Sequence, residues 1–235
     1  MPRRLLSPLL AVALIGCSSQ KGSAGARAAD ASTLQHAATA ARPATAGDSV
    51  AALLAKADAG RIIGNAGANV WLIIVSDFQC PYCKNWHDET WDALRKEYVE
   101  TGKIRVAYVN LPLSMHRNAL PAAQAAMCAA VQGKFWPMQD ALFRTQQEWK
   151  GAVDPAPAFE ALAREAGANA DSLRACVTSG AMRPLIQGDE DRATKAGAQS
   201  TPTFFVGGKP VIGAQPLAAF REALDAALSA KPSGK

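Results

Sequence analysis

The residues of this 235-residue chain best suited to chemistry are two cysteines in the string Cys80-Pro81-Tyr82-Cys83. Their three-residue spacing at the start of a helix places both side chains on one face, where they can form a disulfide. Pro81 suits the first helical turn because its absent N–H is not missed there. The unpaired N–H groups and the positive end of the helix dipole then lie beside Cys80 and favour its thiolate. The dipole contributes about 0.3–1 kcal/mol, up to about 2 when partly buried, and a pKa unit corresponds to about 1.36 kcal/mol. It therefore accounts for about one unit, and a larger depression requires hydrogen bonds to the sulfur. The expected chemistry is attack of a substrate thiolate on Cys80 of the oxidised pair, then release of Cys80 by a second substrate thiol. A purely structural disulfide is the plainer alternative, although so tight a loop at a helix start rarely serves one. Zinc bound by Cys80, Cys83 and His87 lacks a fourth ligand. Haem attachment needs a histidine directly after the second cysteine, where Lys84 stands. No metal and no cofactor is expected.

The surrounding pattern supplies elements to hold this pair. Val70-Trp71-Leu72-Ile73-Ile74-Val75 is a continuous apolar, β-rich run of the kind buried on both faces. After the cysteines, Trp86, Trp91, Leu94 and Tyr98 recur near helical spacing until Gly102, and Ile104 to Val109 forms a second β-rich run. A strand, helix, strand unit of this kind closes as a right-handed crossover with parallel strands. Residues 118 to 196 predict helices: Ala122 to Val131, Phe135 to Gln147, Ala158 to Ala166, and shorter pieces bounded by Gly180 and Gly188. Thr203 to Val206, Gly207-Gly208 and Lys209 to Ile212 predict a hairpin whose second strand is kept at an edge by Pro210. A last amphipathic helix from about Pro216 carries Leu217, Phe220, Leu224 and Leu228 on one face. Ser200-Thr201-Pro202-Thr203 brings proline to the start of a strand, a place for special backbone; a trans bond is the default and a cis bond the alternative.

Composition allows a sizeable core, with 49% hydrophobic residues, and the formal charge of +5 is too mild to point to nucleic acid. Arg3 and Arg4 followed by Leu5 to Ile15 have the regions of a secretory signal, too short to span a bilayer. Leu14-Ile15-Gly16-Cys17 resembles the bacterial lipoprotein signal, which implies lipid on Cys17; an ordinary cleaved signal is the alternative. Losing Arg3 and Arg4 leaves 23 basic against 20 acidic residues, about +3. Ser18, by resemblance to Gram-negative sorting, does not call for inner-membrane retention. The expected divisions are a signal peptide over 1–16, a lipidated, disordered tether over 17–47, an α/β fold in two parts over 48–112 and 200–231, a helical insertion over 113–199, and a tail over 232–235. The tether is rich in Ala, Ser, Gly and Thr, reaches roughly 30 Å on average, and carries His36 as a solvated residue.

The order of strand, Cys80-Pro81-Tyr82-Cys83, helix, strand, helical insertion and Thr201-Pro202 hairpin resembles the DsbA-like branch of the thioredoxin superfamily. The strings Ser76 to Cys83, Gln132-Gly133-Lys134-Phe135-Trp136 and Thr201 to Phe205 carry that resemblance. It implies an α/β thioredoxin fold with a helical insertion, Cys80 as exposed nucleophile and Cys83 as resolving thiol. It also implies a cis-proline at Pro202, with Thr201 offering backbone bonds to an extended substrate and Pro81 and Tyr82 beside them. Substrates are expected to be unfolded or reduced exported proteins, and the membrane redox partner to be DsbB-like or equivalent. The expected protein is a monomeric, extracytoplasmic thiol–disulfide oxidoreductase, on the periplasmic side if the host is Gram-negative. An oxidase is favoured over a reductase or isomerase on the same scaffold, and a non-catalytic partner-binding lipoprotein with an inert disulfide is the rival. DsbA-like proteins often carry a buried acid six residues before the first active-site cysteine; Ile74 stands there. Asp77 is expected as a solvated or helix-capping acid, and His116 as a surface or packing residue. Cys128 and Cys176 are left over in an oxidising compartment, where a structural disulfide is expected and two buried thiols are the alternative.

Overall fold

The computed structural model describes residues 46–230; the signal, Cys17, His36 and the tail after residue 230 lie outside the described residues. α1 (Ala46–Gly60) leads into β1 (Ile62–Gly64) and β2 (Val70–Ser76). The cysteine-bearing helix begins as α2 (Pro81–Trp86) and continues through two π-helical stretches that flank α3 (Asp92–Leu94), ending at Val99. β3 (Ile104–Asn110) follows. Six helices come next: α4 (Ala119–Val131), α5 (Phe135–Arg144), α6 (Gln146–Trp149), α7 (Ala156–Glu165), α8 (Ala170–Ser179) and α9 (Arg183–Lys195). β4 (Thr203–Val206), β5 (Lys209–Ile212) and α10 (Leu217–Ser229) complete the fold.

The sheet order is β1-β3-β2-β4-β5, with β2 parallel to β3 and the other pairs antiparallel. β2 is central because it has few polar side chains to offer water: Leu72 and Ile74 point into the main core, and Ile73 and Val75 into a smaller one with Ala193 and Ala198. The β1 strand was not anticipated from sequence, since Ile62-Ile63-Gly64 is too short to show alternation. Gly64 is required there, because a side-chain carbon would meet the Ile104 carbonyl at 2.3 Å. Gly188, expected to bound a helix, lies inside α9; a single glycine costs a helix only about 1 kcal/mol, and packing of Ile186 and Ala193 outweighs it. Gly180 does end α8, at φ 66°.

Two features tie the helical block together. Cys128 of α4 and Cys176 of α8 are bonded, at a sequence separation of 48. The guanidinium of Arg61, buried between α1 and β1, pairs with Asp189 of α9 and with Asp58. Asp189 also accepts from the backbone N–H of Asn110 at 3.0 Å, the Asn110 amide at 2.8 Å and Arg192 at 2.6 Å, so a fully buried carboxylate fixes the exit of β3. Among the described residues no helix is long and apolar enough to cross a membrane.

Candidate active site at the start of the second helix

Extended backbone at Cys80 (φ −68°, ψ 126°) places it at the N-cap of α2, with Pro81 as the first helical residue. The turn before it closes through the Cys80 N–H to the Asp77 carbonyl at 3.1 Å. Both cysteines are free thiols and both are buried, Cys80 3% exposed and Cys83 1%. The expected exposed nucleophile is therefore shielded, because the loop carrying Thr201 and Pro202 lies over it. Pro81 and Tyr82, the latter at 64% exposure, are the parts of the motif that face solvent.

Hydrogen bonding gives the two sulfurs opposite character. The Cys83 thiol, more than any other group, holds Cys80 down, from 9.0 to about 6; burial opposes this, and the Thr201 side chain and the N–H groups of Cys83 and Tyr82 reinforce it. Burial pushes the Cys83 thiol well up, and its bond to Cys80 adds to that, while the Asp77 N–H and the Ser76 hydroxyl act the other way. Sequence reasoning anticipated the N–H donors but missed the larger effect of the neighbouring thiol.

Thr201-Pro202 is a cis peptide bond. The Cys80 thiol lies 3.4 Å from the Thr201 carbonyl oxygen, across 121 residues of sequence. The loop is fastened on both sides: the Gly213 N–H donates to the Pro202 carbonyl at 2.9 Å, and the Thr203 hydroxyl to the Ser200 carbonyl at 2.7 Å. Ile212, opposite Thr203 in the β4–β5 register, is 62% exposed.

The acid at position 77 departs from expectation. Asp77 is buried, 1% exposed, and is neither solvated nor a side-chain cap of α2. One oxygen accepts from the Gln79 N–H at 2.7 Å, and the other meets the Leu113 N–H at 2.9 Å and His116 Nδ1 at 2.6 Å. Asp77 thereby joins the active-site turn to the segment leaving β3, and His116 is its partner rather than a free surface group. His87 turns to Asp140 and Asp88 instead of joining the cysteines. Ile74 is buried opposite Tyr108 and Phe204.

Gln146 of α6 was missed from sequence. Its amide nitrogen, fully buried, donates to the carbonyls of Phe78 at 2.8 Å and Cys80 at 3.0 Å, so the helical block grips the turn from behind. Nothing in a polar residue within a helical pattern could announce that long-range role.

The family model described as Thioredoxin matches residues 56–226. The Na(+)/H(+) antiporter NhaA 3 of Salinispora tropica is 33% identical over 153 residues, which is 65% of this chain and 22% of that protein. The chain spans about a quarter of the length of the curated relatives that it matches at this level. The probable disulfide bond formation protein D of Bacillus anthracis is 25% identical over 149 residues, 62% of this chain and 69% of that one. The solved structure of oxidised BdbD from Bacillus subtilis gives a TM-score of 0.67 at 20% identity, covering 73% of this chain and 95% of that chain. The chain thus belongs to the thioredoxin family, in the DsbA-like arrangement that sets a block of helices between β3 and β4.

Proposed function

We propose that this protein exchanges disulfides with exported proteins outside the cytoplasm, with Cys80 as the attacking and attacked sulfur and Cys83 as its resolving partner. One observation carries the reading: a thiol held at about 6 lies within 3.4 Å of a cis-proline loop and beside a second thiol held far higher. Such a pair separates the roles, because the anion forms at the sulfur next to the loop and the proton stays on the other. Thr201 and Pro202 present a peptide edge to an extended substrate, and Tyr82, Met115 and Ile212 are exposed apolar side chains on the first turn of α2, the post-β3 segment and the hairpin. Unfolded chains supply the apolar segments and free thiols such a surface takes. The name of the Bacillus anthracis relative agrees with this chemistry.

Direction follows from which form the site favours. Stabilising the Cys80 anion stabilises the dithiol and shifts the couple toward the oxidant side; with the DsbA-like scaffold this favours an oxidase, reoxidised by a membrane partner of the DsbB kind. The lipoprotein pattern ending in Cys17 supports anchoring by lipid on the extracytoplasmic face of a membrane, with residues 17–47 as the tether. The test is oxidation of a reduced, unfolded substrate by the disulfide form, followed by substrate thiol loss. Stoichiometric transfer that disappears in Cys80→Ser supports the reading; equal transfer by Cys80→Ser refutes it. A potential of the couple near that of thioredoxin, about −270 mV, would replace the oxidase with a reductase. Lipid labelling that persists in Cys17→Ser would remove the anchor.

A further inference from the structure

The exchange cycle leaves charge on Cys83, a place where this fold has no carboxylate. When a substrate thiolate attacks Cys80 of the disulfide, the Cys80–Cys83 bond breaks and its electron pair leaves on the Cys83 sulfur. In the reverse step the Cys83 thiol gives up its proton, attacks Cys80 in the mixed disulfide, and expels the substrate thiolate. Either way an anion forms at a sulfur 1% exposed, on a core face where Ile74 offers no polar atom. An anion there needs donors, since burial alone disfavours it.

Two hydroxyls share that face. Ser76 is the next residue beyond Ile74 on the same side of β2, and Tyr108 lies directly across from Ile74 on β3. Tyr108 is fully buried, its ring stacked on Phe78 at 5.0 Å and tilted against Phe135 at 5.2 Å. In this dithiol form its hydroxyl has no hydrogen-bond partner, which is unusual for a buried polar atom and asks for a reason. Ser76 is the polar side chain that acts on it, and the Ser76 hydroxyl and the Asp77 N–H both favour the Cys83 anion.

We propose that Ser76 and Tyr108, with the Asp77 N–H, form a donor pocket for the Cys83 thiolate that takes the place of a buried acid. The proposal rests on the oxidoreductase reading above. Ser76 touches the reacting sulfur and donates to it; Tyr108 is a positioning residue, donating to the Ser76 oxygen so that the serine proton points at sulfur. Burial pushes the Tyr108 phenol well up, which keeps it a donor throughout the range in which thiol exchange runs. The electron pair released from the broken S–S bond rests on Cys83 against these donors, and a proton from a second substrate thiol or from water later neutralises it.

The test separates the two sulfurs. Reduced protein mixed with one equivalent of 5,5′-dithiobis(2-nitrobenzoate) releases one nitrothiobenzoate when Cys80 attacks and a second when Cys83 resolves the mixed disulfide. Removing a hydrogen bond to a charged group changes such a rate by about ten- to a hundredfold. Ser76→Ala should slow the second release by that factor and move its pH midpoint upward, with the first release within about twofold. Tyr108→Phe should slow the second release less, and the thermal stability of the dithiol form should not fall, because in that form the hydroxyl it deletes has no partner. Ser76→Thr, which keeps the hydroxyl, should restore the second release. An unchanged second release in both Ser76→Ala and Tyr108→Phe overturns the proposal, and so does equal slowing of both releases. A first release that is absent from the unmodified protein removes the oxidoreductase reading instead.

Discussion

Deleting the Cys83 thiol should raise the pKa of Cys80, and the size of the rise tests what holds the thiolate. Cys80 stands at about 6 chiefly because the Cys83 thiol donates to it. A hydrogen bond to a charged group is worth about 1.5–3 kcal/mol, or about one to two pKa units. Cys83→Ala should therefore move Cys80 to about 7–8, while Cys83→Ser, which keeps a donor, should leave it near its starting value. The depressed pKa stabilises the reduced fold fully above the unfolded thiol's pKa, and this contribution is lost as pH falls through about 6. At pH 7 the thiol is about nine-tenths anion, so the reduced form gains about 1.4 kcal/mol over one with an ordinary thiol, or about 30 mV in potential. This is an upper figure, because solvent near the site screens it. The assay is the rate of iodoacetamide alkylation against pH. Absolute rates discriminate poorly, since a low-pKa thiolate is intrinsically less nucleophilic; the midpoint is the informative quantity. A midpoint above 8 in the unmodified protein, or equal rises in Cys83→Ala and Cys83→Ser, would refute the reasoning.

Asp77→Asn should weaken the fold by about 1–3 kcal/mol, because a buried carboxylate accepting from Gln79, Leu113 and His116 becomes an amide that cannot accept from all three. Its exchange rate should stay within about fivefold, since the carboxylate serves the turn and not Cys83; abolished turnover in a folded variant counts against this. Asp189→Ala should cost about 3–5 kcal/mol in urea unfolding by stranding the buried Arg61, and a loss below about 1 kcal/mol would show that water replaces the carboxylate. Replacing Cys128 and Cys176 by serine should remove about 4 kcal/mol for a loop of 48 residues in the chain-entropy model, without moving the Cys80 midpoint. A coupled shift in that midpoint would mean that the disulfide reaches the active site through α4.

The parts of the fold that were legible in the sequence are those built by local rules. Val70 to Val75 is readable as a central strand because burial on both sides leaves no polar positions, and Pro81 announces a helix start because its missing N–H is harmless only there. The cis bond at Pro202 was a weak signal by itself and gained weight only beside the cysteine motif. What escaped was set by contacts far apart in the chain. Gln146 reaches Cys80 across 66 residues, Asp77 finds His116 across 39, and Arg61 finds Asp189 across 128. Polar side chains of these types are usually solvated, so their local strings favoured solvent, and only the closed fold supplied partners that reward burial.

Apart from the Arg61–Asp189 pair, these long contacts share a destination. Gln146, Asp77 and Asn118 all act on the five residues that precede Pro81: Gln146 holds two carbonyls, Asp77 caps the Gln79 N–H, and the Gln79 side chain accepts from the Asn118 N–H at 2.7 Å. Asn118 in turn donates to the carbonyls of Trp149, Lys150 and Ala152, at the end of α6 and just beyond it. The inserted helices therefore do more than widen a binding surface. They fix the turn whose geometry places the Cys80 sulfur against Thr201 and its N–H donors, and a charge-stabilising array works only if its donors need not reorganise when the charge arrives. The block therefore holds the turn from behind through Gln146 and Asn118, while the strand side holds it through Asp77.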